Sequence, residues 1–186
     1  MQRTILLLTL LIACWLWMQI LHEVGHVLGA WLTGGSVERV VLHPLTISRT
    51  DVEGSSQPLV VIWLGPIVGC VLPLLMWGMA AAAKWSGAFL LRFFAGFCLL
   101  ANGLYLAAGS FDGVGDCGDL LRHGAPIWTL WLFGAATVPA GLLLWHRQGE
   151  VFGLGPKQQP IPERHIYLTT AVAAITIVGE LVWSAT

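Results

Sequence analysis

Long runs of apolar residues, separated by short polar connections, dominate this chain. A helix needs about 20 apolar residues to cross the roughly 30 Å of hydrocarbon in a bilayer. Five runs are long enough, and they cover residues 4–32, 58–83, 88–109, 125–146 and 166–184. The pattern predicts an all-α integral membrane protein with about five transmembrane helices. The first run has no convincing cleavage site, so we interpret it as a retained helix rather than a signal peptide.

Two polar connections interrupt the apolar runs. Residues 34–57 begin with the double glycine Gly34-Gly35 and are rich in β-branched residues. They predict short strands, either a β-hairpin-like segment or a sheet edge next to the first helix. Residues 147–164 contain several glycines and prolines and predict an irregular connection.

Composition agrees with a membrane protein and excludes several other classes. Only 10% of the 186 residues are charged, whereas soluble domains average about 25%. The net charge of −1 lacks the excess of positive charge that is typical of nucleic-acid-binding proteins. The four cysteines form no CxxC pair, which argues against a disulfide framework and against a cysteine-rich zinc site.

The distribution of lysine and arginine favours a cytoplasmic N-terminus. With five crossings, the N-terminal side of the membrane holds more basic residues than the opposite side, and cytoplasmic loops carry such an excess. The first group is Arg3, Lys84, Arg92, Arg147, Lys157 and Arg164, and the second is Arg39, Arg49 and Arg122. A bacterial plasma (inner) membrane is the expected location.

Two histidines and a glutamate break the first apolar run, as His22-Glu23-Val24-Gly25-His26. A charged side chain at the centre of a spanning helix costs on the order of 2.5–3.5 kcal/mol on insertion scales. Positions i and i+4 share a helix face, so His22 and His26 are able to bind one ion. Glu23 is turned away by about 100° and is suited to act as a general base on a metal-bound water. The alternatives are a chance match and hydrogen-bonded core histidines.

A catalytic zinc usually takes three protein ligands, so a third must come from elsewhere. Four other histidines lie in loops or near the ends of predicted helices: His43, His123, His146 and His165. The densest acidic cluster, with Asp112, Asp116 and Asp119, falls between the third and fourth predicted helices. Its alternative is a solvated, glycine-rich turn. With the histidine pair present, a carboxylate ligand is the favoured interpretation.

Several of these features together resemble the site-2 protease family of intramembrane zinc metallopeptidases, in a small form without a PDZ insertion. The resemblance covers roughly residues 15–122. It includes the HEVGH sequence, Gly34-Gly35 before the predicted strands, Gly65-Pro66 in the second helix, and Asn102 followed by the Asp/Gly cluster. It implies that an aspartate of this cluster is the third zinc ligand, for which Asp116 matches best and Asp112 is the alternative.

The resemblance implies a zinc metalloprotease that cuts membrane-embedded or membrane-adjacent protein or peptide substrates. Its expected metal ligands are His22, His26 and Asp116, with Zn2+ as cofactor and Glu23 as the catalytic base. Asn102 is the expected substrate-binding residue. A single membrane domain over residues 1–186 follows, with its catalytic core at about 4–122 and C-terminal helices within 125–186. A strand edge in residues 34–57 is suited to pair with an unwound substrate.

Two other functions remain open on the sequence. One is a catalytically inactive, metal-binding membrane scaffold, because the asparagine that often follows Gly-Pro in the family is absent here. The other is a small transition-metal transporter, in which Glu180 and the aspartate cluster line a path. Imidazole and carboxylate ligands also accept other first-row metals besides zinc.

Overall fold

The computed structural model describes residues 1–154 and 161–185. It contains two strands, β1 (Ser36–Val41) and β2 (Arg49–Glu53), and a 3-10 turn at Gln148–Glu150. Its α-helices are α1 (Gln2–Leu32), α2 (Pro58–Ala82), α3 (Ala88–Gly109), α4 (Asp116–Arg122), α5 (Ile127–Trp145) and α6 (Glu163–Ser184). Within the predicted irregular connection, residues 155–160 lie outside the described part of the chain.

Five of the helices, all except the short α4, are long and apolar enough to cross a membrane. The prediction of a five-helix membrane protein is therefore confirmed, and so is the small antiparallel sheet after the first helix. The chain is an integral membrane protein. Its α2 and α5 continue through internal prolines, which membrane helices tolerate because neighbouring groups satisfy the freed carbonyls.

Helices α1, α2 and α3 pack against one another and form the centre of the bundle. The remaining long helices flank this centre, with α5 against α3 and α6 against α1. Polar contacts fix α6 parallel to α1: the hydroxyls of Thr9 and Thr169 are 2.8 Å apart, and the Trp17 indole donates to the Thr176 hydroxyl at 3.0 Å. Packing and interhelical hydrogen bonds of this kind hold helices together in lipid.

Two glycines of α1, one turn apart, let α2 approach very closely. A Cβ atom on Gly25 would overlap the carbonyl oxygen of Leu64. One on Gly29 would lie 2.6 Å from the Cα of Val61. This Gly-x-x-x-Gly contact has the small residues that close helix packing in membranes requires. It brings the backbone of α2 against the face of α1 that carries the histidines.

The two strands form an antiparallel hairpin beside the C-terminal half of α1. The register pairs Ser36 with Glu53 and Val41 with Arg49, with an irregularity between Val37 and Arg39. Such a bulge explains why the sequence in this segment lacks a clean alternation of polar and apolar residues, because an extra residue shifts the period.

The short helix α4 is anchored by apolar contacts to α2, α3 and α5. Cys117 and Leu120 are fully buried in a cluster with Leu106 and Leu130. A left-handed glycine, Gly115 with φ +61°, turns the chain into the first residue of α4. This anchoring directs the N-terminal end of α4 towards the C-terminal half of α1.

Candidate metal centre

His22 and His26 lie one turn apart on α1, and both are buried. Their ring centroids are 4.8 Å apart, with the ring planes at 71°. The two imidazoles are therefore close enough to share one ion, as their spacing predicts.

The Nδ1 atom of each imidazole forms a hydrogen bond with an oxygen atom of another helix. His22 Nδ1 is 2.7 Å from the side-chain oxygen of Asn102, on α3. His26 Nδ1 is 3.0 Å from the carbonyl oxygen of Val61, on α2. Both oxygens accept, so Nδ1 donates and the lone pair of a neutral ring lies on Nε2. Hydrogen bonds of this kind fix the ring orientation of metal-binding histidines.

Asp116 brings a carboxylate to the two Nε2 atoms. Its Oδ2 is 2.7 Å from Nε2 of His22 and 3.4 Å from Nε2 of His26. Its backbone N–H donates to the Tyr105 hydroxyl at 3.0 Å, which ties α4 to α3.

The three side chains fit the ligand set of a catalytic zinc ion. Their ligand atoms all lie within 4.8 Å of one another, and His22, His26 and Asp116 are the one such group found in residues 1–154 and 161–185. Two zinc ligands at about 2.0–2.1 Å in a tetrahedron lie about 3.3 Å apart. Two imidazoles and a carboxylate would leave one position open for water or substrate.

Gly65 on α2 leaves the space that an ion needs. A Cβ atom at this position would overlap the His26 imidazole and lie 2.9 Å from Nε2 of His22. The missing side chain thus keeps the region beside both Nε2 atoms clear. The types and spacing of the three side chains and the space beside Gly65 both fit a bound metal ion.

The other two aspartates of the acidic cluster do not join this group. Asp112 and Asp119 line the same cavity, but neither belongs to the potential ligand group. Asp119 instead pairs with Arg122. Cys117, which lies next to Asp116, is also outside the potential ligand group. Its thiol instead donates to the Tyr105 carbonyl oxygen.

Glu23 lies on the side of α1 that faces the hairpin, and only 4% of its surface is exposed. Its Oε1 accepts from the Ser48 hydroxyl and its Oε2 from the Thr50 hydroxyl, both at 2.6 Å. The adjacent turn of α1 contributes Gln19, whose side-chain oxygen accepts from the Ser48 backbone N–H at 2.8 Å. The hairpin therefore contacts the predicted catalytic base directly.

A cavity of about 1020 Å³ joins these groups. The predicted ligands, Glu23 and the hairpin residues Ser48 and Thr50 all line it, together with apolar side chains such as Trp15, Met18 and Leu104. A mostly apolar cavity with a few convergent polar groups is the usual form of a binding site. Glu180, which a transport path would require, does not line this cavity.

Asn102 also lies at this cavity, but it is almost fully buried. Its amide oxygen contacts His22, and its amide nitrogen donates to the Cys98 carbonyl at 2.9 Å. Contact of Asn102 with a substrate stays a prediction. Its observed contact is with a candidate metal ligand.

The resemblance includes Gly65 and Asn102, but the sequence did not predict their contacts with the histidines. The clearance at Gly65 and the carbonyl of Val61 depend on how α2 packs, although Gly25-x-x-x-Gly29 was a readable signal for that packing. No local signal marked Ser48 and Thr50, because isolated hydroxyl residues in a polar loop are common.

The fold and the site define a class: a polytopic membrane protein with a candidate metal centre buried among its helices. The Peptidase M50B-like family model matches residues 4–110, which is more than half of the chain. The chain therefore belongs to this family, the site-2 protease family of intramembrane metalloproteases. No curated protein and no solved structure matches the chain.

The matched region contains only part of the candidate centre. It includes His22, Glu23, His26, Gly65 and Asn102, and it ends before the aspartate cluster. The family match therefore supports metalloprotease activity at the level of the family. The choice of Asp116 depends on the resemblance of the aspartate cluster and on the geometry, not on the matched region.

Proposed function

We propose that the protein is a zinc metalloprotease that hydrolyses peptide bonds of membrane-embedded or membrane-adjacent substrates. The observation that carries this proposal is the convergence of His22, His26 and Asp116 within 4.8 Å inside a family of intramembrane metalloproteases. In this proposal the three side chains hold one Zn2+. A zinc ion held there supplies Lewis-acid chemistry, which makes a water nucleophilic near neutral pH and polarises a carbonyl.

Other residues of the chain have the remaining roles in this proposal. Glu23 removes a proton from the attacking water and passes it to the leaving amine nitrogen. Asn102 and the Val61 carbonyl hold the two imidazoles with Nε2 towards the ion. His22, Glu23 and His26 are buried, so charge–charge interactions between them are stronger than in bulk solvent.

The hairpin is the proposed place for the substrate to enter. A transmembrane helix hides its amide bonds, so a substrate must unwind locally before cleavage. The hairpin lines the cavity and has only two strands, so an extended substrate segment is able to pair with a free strand edge.

We further propose that residues 1–186 act as one membrane domain. The catalytic core covers about residues 4–122, and the C-terminal helices within 125–186 support it, since α5 packs on α3 and α6 on α1. The proposed location is a bacterial plasma membrane with the N-terminus in the cytoplasm. The site would then lie nearer the outer face, because the histidines occupy the C-terminal part of α1.

The test compares purified wild-type protein with Glu23→Gln, His26→Ala and Asp116→Asn, and uses Asp112→Asn as the matched control for the aspartate. Metal content is measured by elemental analysis, and cleavage is measured on fluorescein-labelled casein in detergent micelles. We expect Glu23→Gln to keep zinc and lose turnover by at least about 100-fold, the lower range for general acid–base catalysis. His26→Ala and Asp116→Asn should lose zinc, and Asp112→Asn should keep it.

Other outcomes identify the alternative functions. A wild-type protein that binds zinc but cleaves no better than Glu23→Gln would contradict the protease and favour the scaffold. Zinc flux into vesicles containing the wild-type protein would favour the transporter. Zinc loss in Asp112→Asn rather than Asp116→Asn would overturn the proposed third ligand.

A further inference from the structure

Two hydroxyl side chains of the hairpin hold both oxygens of the Glu23 carboxylate. Ser48 donates to Oε1 and Thr50 donates to Oε2, each at 2.6 Å. Distances in this range are typical of hydroxyl donors to an ionised carboxylate, which form the stronger kind of hydrogen bond. One short segment of the chain thus donates a hydrogen bond to each of the two carboxylate oxygens.

Ser48 directly precedes β2 and Thr50 lies within it, and the hydroxyls of both contact Glu23 on α1. Their spacing of two residues agrees with this, because residues two apart in extended backbone point to the same side. Arg49, between them, points to the other side, where it pairs with Asp51 at 3.3 Å. The Ser48 backbone N–H also donates to Gln19, one turn before Glu23 on α1, which sets the position of the segment along the helix.

A buried carboxylate needs such partners if it is to act as a base. Desolvation without compensating hydrogen bonds disfavours the charged form of an acid. Each carboxylate oxygen has two acceptor positions, so one hydroxyl on each oxygen leaves capacity for a water. The two hydroxyls therefore hold the carboxylate in one orientation without consuming all of its acceptor sites.

We propose that Ser48 and Thr50 are positioning residues for the catalytic base, and that they orient Glu23 for proton transfer. This inference rests on the proposed protease function. It assigns to the hairpin a role in the chemical step, in addition to any role in binding substrate. Loss of both hydroxyls should leave Glu23 free to rotate, and misplacement of a catalytic group by about 1 Å is able to cost on the order of 100-fold in rate.

The test separates the hydroxyl from the shape of the side chain. Thr50→Val keeps the branched shape and removes the hydroxyl, whereas Thr50→Ser keeps the hydroxyl and removes the methyl group. Ser48→Ala and Ser48→Thr form the second pair, and Thr46→Val is the control, because Thr46 is an exposed threonine of the same loop. Steady-state cleavage of fluorescein-labelled casein and zinc content are measured for the full-length protein.

We expect the Ser48→Ala/Thr50→Val double variant to lose about 10- to 100-fold in kcat, with KM and zinc content unchanged. Thr50→Ser, Ser48→Thr and Thr46→Val should retain most of the wild-type kcat. A double variant with unchanged or increased kcat would overturn the inference, as would a loss expressed only in KM, which would indicate a role in substrate binding.

A second measurement does not depend on proteolysis. The infrared carboxylate bands of Glu23 are assigned from the difference between wild type and Glu23→Gln. We expect them to shift in the double variant, because two hydrogen bonds are lost, and to stay in place in Thr46→Val. Unshifted bands would contradict the contact itself. Absence of any Glu23-dependent cleavage by the wild type, together with shifted bands, would contradict the proposed function instead.

Discussion

Single residues outside the candidate ligand group shape the space beside the two histidines. Gly65 matters most, because its missing side chain leaves room beside Nε2 of both His22 and His26. Asn102 and the Val61 carbonyl act on the opposite edge of each ring, where they accept from Nδ1. Space beside Nε2 and a hydrogen-bonded Nδ1 on each ring are both consistent with the proposed metal binding.

Gly65→Ala should therefore weaken zinc binding without unfolding the protein. The added methyl group overlaps the His26 imidazole, and we expect a loss of affinity on the order of 10- to 100-fold, the range for disturbing groups around a metal ligand. Zinc affinity is measured by competition with a chelator. Gly78→Ala on the same helix is the matched control, since a Cβ there meets nothing within 4 Å. Equal affinities in the two variants would contradict a site beside Gly65.

At the scale of the elements, the close approach of α1 and α2 determines the position of the first two proposed ligands, His22 and His26. Gly25 and Gly29 allow the backbones to touch, and this contact places the Val61 carbonyl against His26. Helix α4 determines the position of the proposed third ligand, Asp116, through its buried residues Cys117 and Leu120. The hairpin adds its contact with Glu23 from the remaining side.

Gly29→Ala tests the contact between α1 and α2. The added Cβ would lie 2.6 Å from the Cα of Val61, so the helices must move apart, and overpacking of this kind costs about 1–3 kcal/mol. The free energy of unfolding is measured in mixed micelles with increasing sodium dodecyl sulfate. Gly179→Ala on α6 serves as control, because its Cβ would enter open space. Equal stabilities of the two variants would show that α1 and α2 do not depend on this contact.

At the scale of the whole molecule, an ion in this centre would join parts of the chain that are far apart in sequence. His22 and Asp116 are separated by 94 residues, and they belong to different helices. A ligand that binds only the folded state stabilises it by an amount that depends on its concentration relative to its Kd. The centre should therefore couple metal binding to the stability of the bundle.

We expect zinc to stabilise the wild-type protein and not His26→Ala. At a free zinc concentration of about 100 times Kd, the stabilisation is about 2.7 kcal/mol, which should raise the Tm. Thermal unfolding in detergent is followed with and without zinc, and a chelator should reverse the increase. An equal rise in Tm for His26→Ala would show that zinc binds somewhere other than the proposed centre.

Much of this architecture follows from local properties of the sequence. The apolar runs define the spanning helices because hydrocarbon thickness sets a minimum length. The i, i+4 spacing places His22 and His26 on one face whatever surrounds the helix. For the same reason Glu23 must point elsewhere. The sequence also limited the third ligand to a small set, since Asp112, Asp116 and Asp119 are the only dense acidic cluster.

Tertiary structure brings the Asp116 carboxylate, which the family resemblance already favoured, to the imidazoles. It leaves Asp112 and Asp119 outside the group, because the anchoring of α4 sets the direction of this helix. It also revealed the clearance at Gly65 and the hydroxyl contacts of Glu23. These contacts join distant parts of the chain. Helical periodicity is a property of neighbouring residues, whereas such contacts depend on how whole elements pack, which a local motif such as Gly25-x-x-x-Gly29 indicates only in part.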